Sequence, residues 1–234
     1  MFDWGDTLMD FKYDPELVDA GYRAGLDALG RDDLPEPALV AERFREHYEP
    51  LFWAPGTIEE IEYPGLVREL LRHFDVEVSD DELMRFLEAE HTAWAPAFVM
   101  GATTHALLEA LRKRDLKLGL VSNAFDPPWI LHRDLERMGL AERLDFAVFS
   151  SEVGRRKPDP AIFETALEAL GVEAGEAMFV GDRLYEDVRG AGELGMTTVQ
   201  ALWFRADDHP DGGEPDYEAF TQMDVLNLAD RLLA

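Results

Sequence analysis

The stretch AMFVGDRLYEDVRGAGELGMTTVQALWF, residues 177–204, predicts the fold class of this chain. Residues 177–182 are a short apolar run that ends in an acid, and residues 197–204 are a second apolar run. The residues between them have a helical pattern. Parallel strands need a crossover connection, usually a helix. This stretch therefore predicts a strand–helix–strand unit of a parallel sheet.

The same alternation extends back to about residue 98. Two further apolar runs, 116–123 and 146–151, are each followed by a helical segment. Strands that alternate with helices in this way form a parallel sheet with helices on both faces. We therefore expect an α/β fold, a Rossmann-like doubly wound parallel sheet, built from residues 1–13 and 98–234.

Residues 14–97 have a different pattern. Helical segments separated by Pro and Gly fill this region, and none of it has the pattern of a strand. One opening strand precedes the block and the α/β pattern follows it. The block is therefore predicted to be an inserted, all-helical cap domain. The acidic stretch 206–216 is predicted to be a solvated loop.

Composition limits the class of partner. Among 234 residues, 49 are Asp or Glu and 22 are Lys or Arg, which gives a net charge of −27. Such a charge repels nucleic-acid phosphates and anionic lipid, so we expect neither nucleic-acid nor membrane binding. Only four of the basic residues are lysines. Scarce lysine and high acidity resemble proteins of salt-loving organisms, although an acidic protein from a mesophile is an alternative.

Other features of the sequence predict a cytoplasmic protein. No apolar run approaches the ~20 residues that a membrane span needs. The chain does not begin with the basic and then apolar pattern of a signal peptide. Because the chain has no cysteine, disulfides and cysteine-bound metals are excluded.

Four polar side chains follow predicted strands or lie in the loops after them: Asp3, Ser122, Lys157 and Asp182. The carboxyl ends of parallel strands share one edge of the sheet, where the active sites of α/β proteins collect. We therefore expect these four side chains to converge on one site.

Four stretches, FDWGDTL, LGLVSNA, GRRKPDPAIF and FVGDRLYEDVRGA, resemble the four motifs of the haloacid dehalogenase-like (HAD) hydrolase superfamily, in the family's order. The helical block lies between the first and second motifs, which is similar to the placement of that family's helical cap. Taken singly, each motif has an ordinary explanation in a turn, a helix cap or an exposed lysine. Together they resemble the phosphatase-like branch of the family.

The resemblance implies a Mg²⁺-dependent phosphatase that acts on a small phosphorylated metabolite. It makes Asp3 the nucleophile that forms an aspartyl-phosphate, and Lys157 the cation that pairs with the nucleophile and the transferring group. The Ser122 hydroxyl and the Asn123 backbone amide are implied to hold a phosphoryl oxygen.

The resemblance also implies a metal site. It assigns the Mg²⁺ ligands to the carboxylates of Asp3, Asp182 and Asp187 and to the backbone carbonyl of Gly5. Asp182 is the better candidate for a direct ligand. Asp187 is expected to bind the ion directly or to support the residues that do.

The first motif departs from the family pattern at Gly5. Family phosphatases usually carry a second aspartate there, which protonates the leaving oxygen and later activates water. Loss of such a group typically costs ~10²–10⁴ in rate. Asp6 stands one residue further on, where the family usually has glycine. Consecutive residues of an extended chain point in different directions, so Asp6 is not expected to replace the missing acid.

Three hypotheses follow from this departure. The first is a phosphatase that tolerates the loss, for example on an ester with a good leaving group. The second is a haloacid-dehalogenase-type hydrolase, whose halide product needs no proton. The third is a low-activity binding or regulatory protein with the same fold. We favour the first, because dehalogenation does not require the metal pattern of Asp182 and Asp187.

Two expectations concern other parts of the chain. Only Met1 and Phe2 precede Asp3, whereas strands usually have about five or six residues. We therefore expect either an unusually short first strand or a natural chain that begins upstream. The cap aromatics Trp53 and Trp94 are expected to be core residues, with one or two cap aromatics at the substrate entrance.

Overall fold

The computed structural model describes residues 1–52, 57–205, 207, 209 and 211–233. Its strands are β1 (Met9–Phe11), β2 (Phe98–Met100), β3 (Gly119–Ser122), β4 (Phe146–Phe149), β5 (Met178–Gly181), β6 (Thr197–Ala201) and β7 (Tyr217–Ala219). Its α-helices are α1 (Pro15–Leu29), α2 (Pro37–His47), α3 (Glu49–Phe52), α4 (Tyr63–Arg72), α5 (Asp80–Ala93), α6 (Thr104–Arg112), α7 (Pro128–Arg137), α8 (Ser150–Val153), α9 (Pro160–Leu170), α10 (Gly190–Glu193) and α11 (Gln222–Leu232). A π-helical segment, Leu184–Arg189, precedes α10.

A parallel sheet forms the centre of the molecule. β3 pairs with β4, β5 pairs with β6, and β6 pairs with β7, all in parallel. The start of the chain lies between these two groups, because Phe2 bridges Leu120 of β3 and Val180 of β5 in parallel. The spatial order is therefore β4, β3, residues 1–3, β5, β6 and β7.

Both faces of the sheet are covered by helices. Successive residues of a strand point to opposite faces. Phe2, Leu120 and Val180 accordingly share one buried cluster with residues of α6, α7 and α11. Val121 and Phe179 share another cluster with residues of α9 and α10. The predicted α/β fold, a Rossmann-like doubly wound sheet with an added helical block, is confirmed.

The helices α1 to α5 enclose a hydrophobic cluster of their own. α1 begins after Asp14, whose side chain accepts a hydrogen bond from the backbone N–H of Glu16. α5 begins after Ser79, which forms a capping box with Glu82. Ile130 of α7 also belongs to this cluster, so the helical block packs against the sheet domain. We propose that residues 14–97 form a cap domain and that residues 1–13 and 98–234 form the core.

Some elements were not predicted from the sequence. β1 and β2 form a small antiparallel pair, with Phe11 opposite Phe98, where the chain enters and leaves the helical block. Strands of three residues are too short to produce a clear alternating pattern. The stretch predicted to be a solvated loop contains acids that bind backbone amides, because Asp207 accepts a hydrogen bond from Leu184 at 2.7 Å. No helix in the described part of the chain is long and apolar enough to cross a membrane.

Candidate active site

Three neighbouring strands bring polar side chains to one edge of the sheet. Asp3 ends the central segment, where its backbone N–H donates to the carbonyl of Val180 at 2.9 Å. Ser122 is the last residue of β3, and Asp182 directly follows β5. All three are buried, and Asp3 is 7% exposed. Parallel strands share their carboxyl edge, so residues far apart in sequence meet there.

Lys157 lies at the centre of this group. Its Nζ donates to Asp3 Oδ1 at 2.6 Å, to Asp187 Oδ1 at 2.6 Å and to the Val121 carbonyl at 3.0 Å. These three acceptors match the three protons of an ammonium group. Burial lowers the pKa of Lys157, but the charges of Asp187 and Asp3 outweigh it and raise the pKa above its usual value. Lys157 is therefore a buried cation that links two of the predicted acids.

The acids Asp3, Asp182 and Asp187 form a compact group. Each offers one carboxylate oxygen, and these oxygens lie within 4.8 Å of one another. Burial, and then the charges of Asp187 and Asp3, raise the pKa of Asp182 to about 8. Burial also raises the pKa of Asp187, although Lys157 opposes this effect. Three buried carboxylates at this spacing need more positive charge than one lysine supplies.

The hydrogen bonds distinguish Asp182 from Asp187. Both oxygens of Asp187 have donors, since Oδ1 accepts from Lys157 and Oδ2 accepts from the backbone N–H of Arg183 at 3.0 Å. Neither oxygen of Asp182 accepts a hydrogen bond from the residues that the structure describes. The guanidinium of Arg205 lies 3.0 Å from Asp182 Oδ2 without hydrogen-bond geometry. Oxygen ligands without donors suit a hard cation such as Mg²⁺, so this group fits the implied ion.

The side chain of Asn123 positions Lys157. Its Oδ1 accepts from the backbone N–H of Lys157 at 2.7 Å, and its Nδ2 donates to the Lys157 carbonyl at 3.2 Å. No local sequence pattern indicates this contact, because the two residues are 34 positions apart. The side chain of Asn123 thus holds in place the loop that carries the Lys157 ammonium group. This role is additional to the one that the family resemblance implies for the backbone amide of Asn123.

The loop after Asp3 shows where the displaced acid lies. The backbone of Asp6 is left-handed, with φ of 55°. Its Oδ1 accepts from the backbone N–H of Phe11 at 3.0 Å, and its Oδ2 lies 3.5 Å from Nη1 of Arg205. A Cβ built on Gly5 meets no atom within 4 Å. The carboxylate of Asp6 is therefore engaged within the loop, while the space beside Gly5 is open.

A cavity of about 240 Å³ extends from this group of acids to the helical block. On the core side, Asp3, Ser122 and Lys157 line it. The side chains that line it from the helical block and the adjoining segments are mostly aromatic: Phe11, Tyr22, Phe44, Phe52, Tyr63, Trp94 and Phe125. Trp94 is thus a cavity residue, and Trp53 lies outside the described residues. Ligand cavities usually have ~300–1,000 Å³, so this volume favours a compact substrate.

Glu90 of α5 also lines the cavity and was not predicted as a site residue. It is 4% exposed, and its Oε1 accepts a hydrogen bond from Trp94 Nε1 at 3.0 Å. Burial, and then the charge of Asp126, raise the pKa of Glu90 to about 7. A sequence signal existed, because Glu90 follows Leu83 and Phe86 on the apolar face of the helix.

His91 joins the helical block to the core by ion pairs. Its Nε2 lies 2.7 Å from Asp134 Oδ2 on α7, and its Nδ1 lies 3.0 Å from Asp126 Oδ1. Burial lowers the pKa of His91, but Asp126 and Asp134 outweigh it and raise the pKa to about 10. His91 is therefore a paired, buried cation beside the cavity.

Comparison with known proteins identifies the family. The family model of haloacid dehalogenase-like hydrolases matches residues 1–195. The chain therefore belongs to the haloacid dehalogenase-like hydrolases. The resemblance found in the motifs is confirmed, and so is the prediction that the protein is an enzyme.

Two curated relatives are similar to this chain. The glyceraldehyde 3-phosphate phosphatase of Pyrococcus abyssi is 29% identical over 206 residues, which cover 87% of this chain and 79% of the relative. The glyceraldehyde 3-phosphate phosphatase of Methanopyrus kandleri is 36% identical over 129 residues, which cover 53% of this chain. The chain spans only about half the length of that second relative, 54%.

Solved structures share the fold along nearly the whole chain. A HAD phosphatase from Thermococcus onnurineus has a TM-score of 0.65 and 25% identity, with 97% of this chain and 95% of the other covered. A 2-haloacid dehalogenase from Pseudomonas syringae has a TM-score of 0.67 and 24% identity, with 99% and 97% covered. The second likeness shows the fold alone.

Proposed function

We propose that this enzyme is a phosphomonoester phosphatase that acts through an aspartyl-phosphate on Asp3. The main observation behind the proposal is the buried cluster in which Lys157 donates hydrogen bonds to Asp3 and Asp187. Beside it lie the two carboxylate oxygens of Asp182, which accept no hydrogen bond from the described residues. Phosphatase-named relatives support the same reaction class. The substrate is a small phosphorylated metabolite that enters the cavity between core and cap.

Asp3 is the nucleophile of this reaction. Lys157 holds Asp3 Oδ1, which orients the carboxylate and leaves Oδ2 to attack phosphorus. An oxygen–phosphorus bond forms on Asp3 while the phosphorus–ester oxygen bond breaks, and the leaving oxygen departs with the electron pair. Water then attacks the phosphorylated Asp3, which releases phosphate and restores the carboxylate. Ser122 and the backbone amide of Asn123 bind phosphoryl oxygens during both steps.

The metal site belongs to this proposal. Asp3, Asp182 and the Gly5 carbonyl would hold Mg²⁺, and Asp187 would support the site through its contacts with Lys157 and Arg183. When bound, the ion supplies positive charge that offsets the repulsion between the carboxylates and the phosphoryl group. Arg205, beside Asp182, adds to the same positive charge. A cytoplasmic location and adaptation to high salt are further parts of the proposal.

The leaving oxygen has no side-chain proton donor at position 5. The proposed reaction therefore proceeds best with esters whose leaving group is stable as an anion. A dehalogenase would also function without that acid, and the absence of a side chain at Gly5 is the observation in its favour. The cluster of Asp3, Asp182 and Asp187 weighs against a dehalogenase, because displacement of halide does not need three carboxylates that could hold a metal ion.

Phosphate release tests this proposal. The assay uses a panel of phosphomonoesters in concentrated KCl, with and without Mg²⁺, and Asp3→Asn as the control variant. We expect metal-dependent release that Asp3→Asn abolishes. No release from a folded sample, together with halide release from 2-haloacids, would replace the phosphatase proposal with the dehalogenase.

A further inference from the structure

The cap side of the cavity combines an aromatic wall with an acid. The ring centroid of Phe125 lies 4.4 Å from that of Phe52 and 4.9 Å from that of Tyr63. Glu90 lines the same cavity and is almost completely buried. Burial of an ionised group is unfavourable unless a partner compensates for the lost water. The wall therefore suits a flat apolar group, and the acid suits a polar end of that group.

Glu90 and the hydroxyl of Tyr22, on the cap side of the cavity, leave part of their hydrogen-bonding capacity unused. Glu90 accepts a hydrogen bond from Trp94, and the charge of His91 and the Tyr63 hydroxyl oppose the rise in its pKa that burial causes. No Lys or Arg of the described chain forms an ion pair with it. Tyr22 lines the cavity and is 1% exposed, and its hydroxyl has no hydrogen-bond partner among the described residues. The Tyr63 hydroxyl lies near that of Tyr22. A carboxylate can accept several hydrogen bonds, so a ligand that donates would fill this gap.

The positive charges of the cavity have other partners. Lys157 pairs with Asp3 and Asp187 on the core side. Arg156 also lines the cavity, and its Nη1 lies 3.6 Å from Oε1 of Glu60.

The other cations in the lining, His91 and Arg183, face Asp134 and Glu186. A ligand carboxylate on the cap side would therefore meet the carboxylate of Glu90, while each of these cations already faces an acid of the protein. An ammonium or hydroxyl group would meet an acceptor instead.

We propose that the cap side of the cavity binds the leaving group of an aryl phosphate, with the ring against Phe52, Tyr63 and Phe125 and a hydrogen-bond donor, best an ammonium, on Glu90. This inference rests on the proposed phosphatase function, since it names the substrate class of that site. Glu90 is then a specificity-determining residue that touches the substrate.

An aryl leaving group also agrees with the chemistry at Gly5. A phenol has a pKa of about 10, whereas alkyl alcohols are closer to the value of about 15.7 for water. The bond from phosphorus to a phenolic oxygen therefore breaks without help from an acid more easily than an alkyl ester bond. The phenolate takes the electron pair and acquires its proton from water after release. The aromatic wall and the absence of a general acid at position 5 therefore both favour aryl phosphate esters.

Three esters with one aromatic body test the inference: 4-methylphenyl phosphate, 4-(2-aminoethyl)phenyl phosphate and 4-(2-carboxyethyl)phenyl phosphate. We expect kcat/KM to be at least about tenfold higher for the amine than for the methyl ester, because hydrogen bonds to charged groups are the strong ones. The carboxylate should be the poorest substrate. Equal rates for all three, or a preference for the carboxylate, would overturn the inference.

Variants of Glu90 assign the preference to one side chain. Glu90→Gln should bring the ratio of kcat/KM between the amine and the methyl ester close to one, whereas Glu90→Asp, which keeps the charge, should retain part of the preference for the amine. Glu42→Gln makes the same chemical change at an exposed position of α2 and should have no effect. An amine preference that survives in folded Glu90→Gln would refute the role of Glu90.

Calorimetry separates this inference from the proposed function. Binding of 4-(2-aminoethyl)phenol needs no turnover, and 4-methylphenol is its matched control. Tighter binding of the amine, lost in Glu90→Gln, would support the cavity assignment even if no ester releases phosphate, and only the phosphatase proposal would then fail. Phosphate release from other esters without any binding of these phenols would refute the inference and leave the phosphatase proposal standing.

Discussion

The substitution Gly5→Asp should restore the missing proton donor. A Cβ at this position meets no atom within 4 Å, so the side chain has room beside Asp3. The backbone of Gly5 is not among the positive-φ positions of the chain, so an aspartate is not strained there. Gly5 lines the cavity, which places a new carboxyl where a leaving oxygen is expected. The position therefore accepts the group that family phosphatases usually have.

The size of the gain should depend on the leaving group. A general acid contributes ~10²–10⁴ in rate, or about 3–5 kcal/mol of transition-state stabilisation, when the leaving group needs a proton. Alkyl phosphates need one, so kcat on these esters should rise by about that factor. Aryl esters with strongly acidic phenols should gain less than about tenfold, because their leaving oxygen is already stable as an anion.

Steady-state kinetics over a series of esters with increasing leaving-group pKa measures this difference. The slope of log kcat against leaving-group pKa should be steep in the wild type and shallow in Gly5→Asp. Gly5→Asn is the matched control, since its amide fills similar space and cannot donate in the same way. A uniform gain across the series, an equal gain in Gly5→Asn, or no gain in a folded Gly5→Asp protein would refute the reasoning.

Four further outcomes are expected. Asp182→Asn should raise the metal-free unfolding free energy increasingly as the pH rises from about 4 to about 8, and by a constant amount above 8, because burial and the charge of Asp187 raise the pKa of Asp182 from 3.8 to about 8. Calorimetry of the variant should also show no Mg²⁺-induced rise in Tm. Lys157→Met should lower the unfolding free energy by about 3–5 kcal/mol in urea titrations, since it leaves the carboxylates of Asp3 and Asp187 buried without their cation. The stabilisation from His91 should be complete below pH 6.5 and be lost as the pH rises through about 10, so the difference in unfolding free energy between wild type and Asp134→Asn should shrink over that range. Tm should rise from low salt to molar KCl, because the Debye length falls from ~10 Å at 0.1 M to ~3 Å at 1 M and screens a net charge of −27.

The parts of the fold that follow from repeated patterns were predictable. Alternating strands and helices lead to the parallel sheet, and the sheet brings Asp3, Ser122 and Asp182 to one edge through geometry alone. The β1–β2 pair was not predictable, because three-residue strands leave too few positions for a pattern. The contact between Asp6 and Arg205 joins residues 199 positions apart, and no local pattern encodes such a distance.

The cap side of the site shows a second limit of sequence reasoning. Helical spacing places Glu90 on the buried face of α5, but spacing does not say whether that face meets a hydrophobic core or a cavity. The answer depends on how α5 packs against Gly21 of α1, where an added Cβ would lie 3.1 Å from Glu90 Oε1. A glycine four helices earlier in the chain thus makes room for the acid, and only the folded chain brings the two together.

The order of Gly5 and Asp6 in the first motif determines which contacts the Asp6 carboxylate makes beside the cavity. With the order Gly5–Asp6, the carboxylate of Asp6 accepts a hydrogen bond from the backbone N–H of Phe11. Asp6 adopts the left-handed backbone that Asp tolerates better than most residues. Arg205 then lies between Asp6 and Asp182, so the displaced acid also holds positive charge beside the proposed metal site. Under the proposed mechanism no side chain at position 5 donates a proton to the leaving group, so the reaction should favour a substrate whose leaving group is stable as an anion.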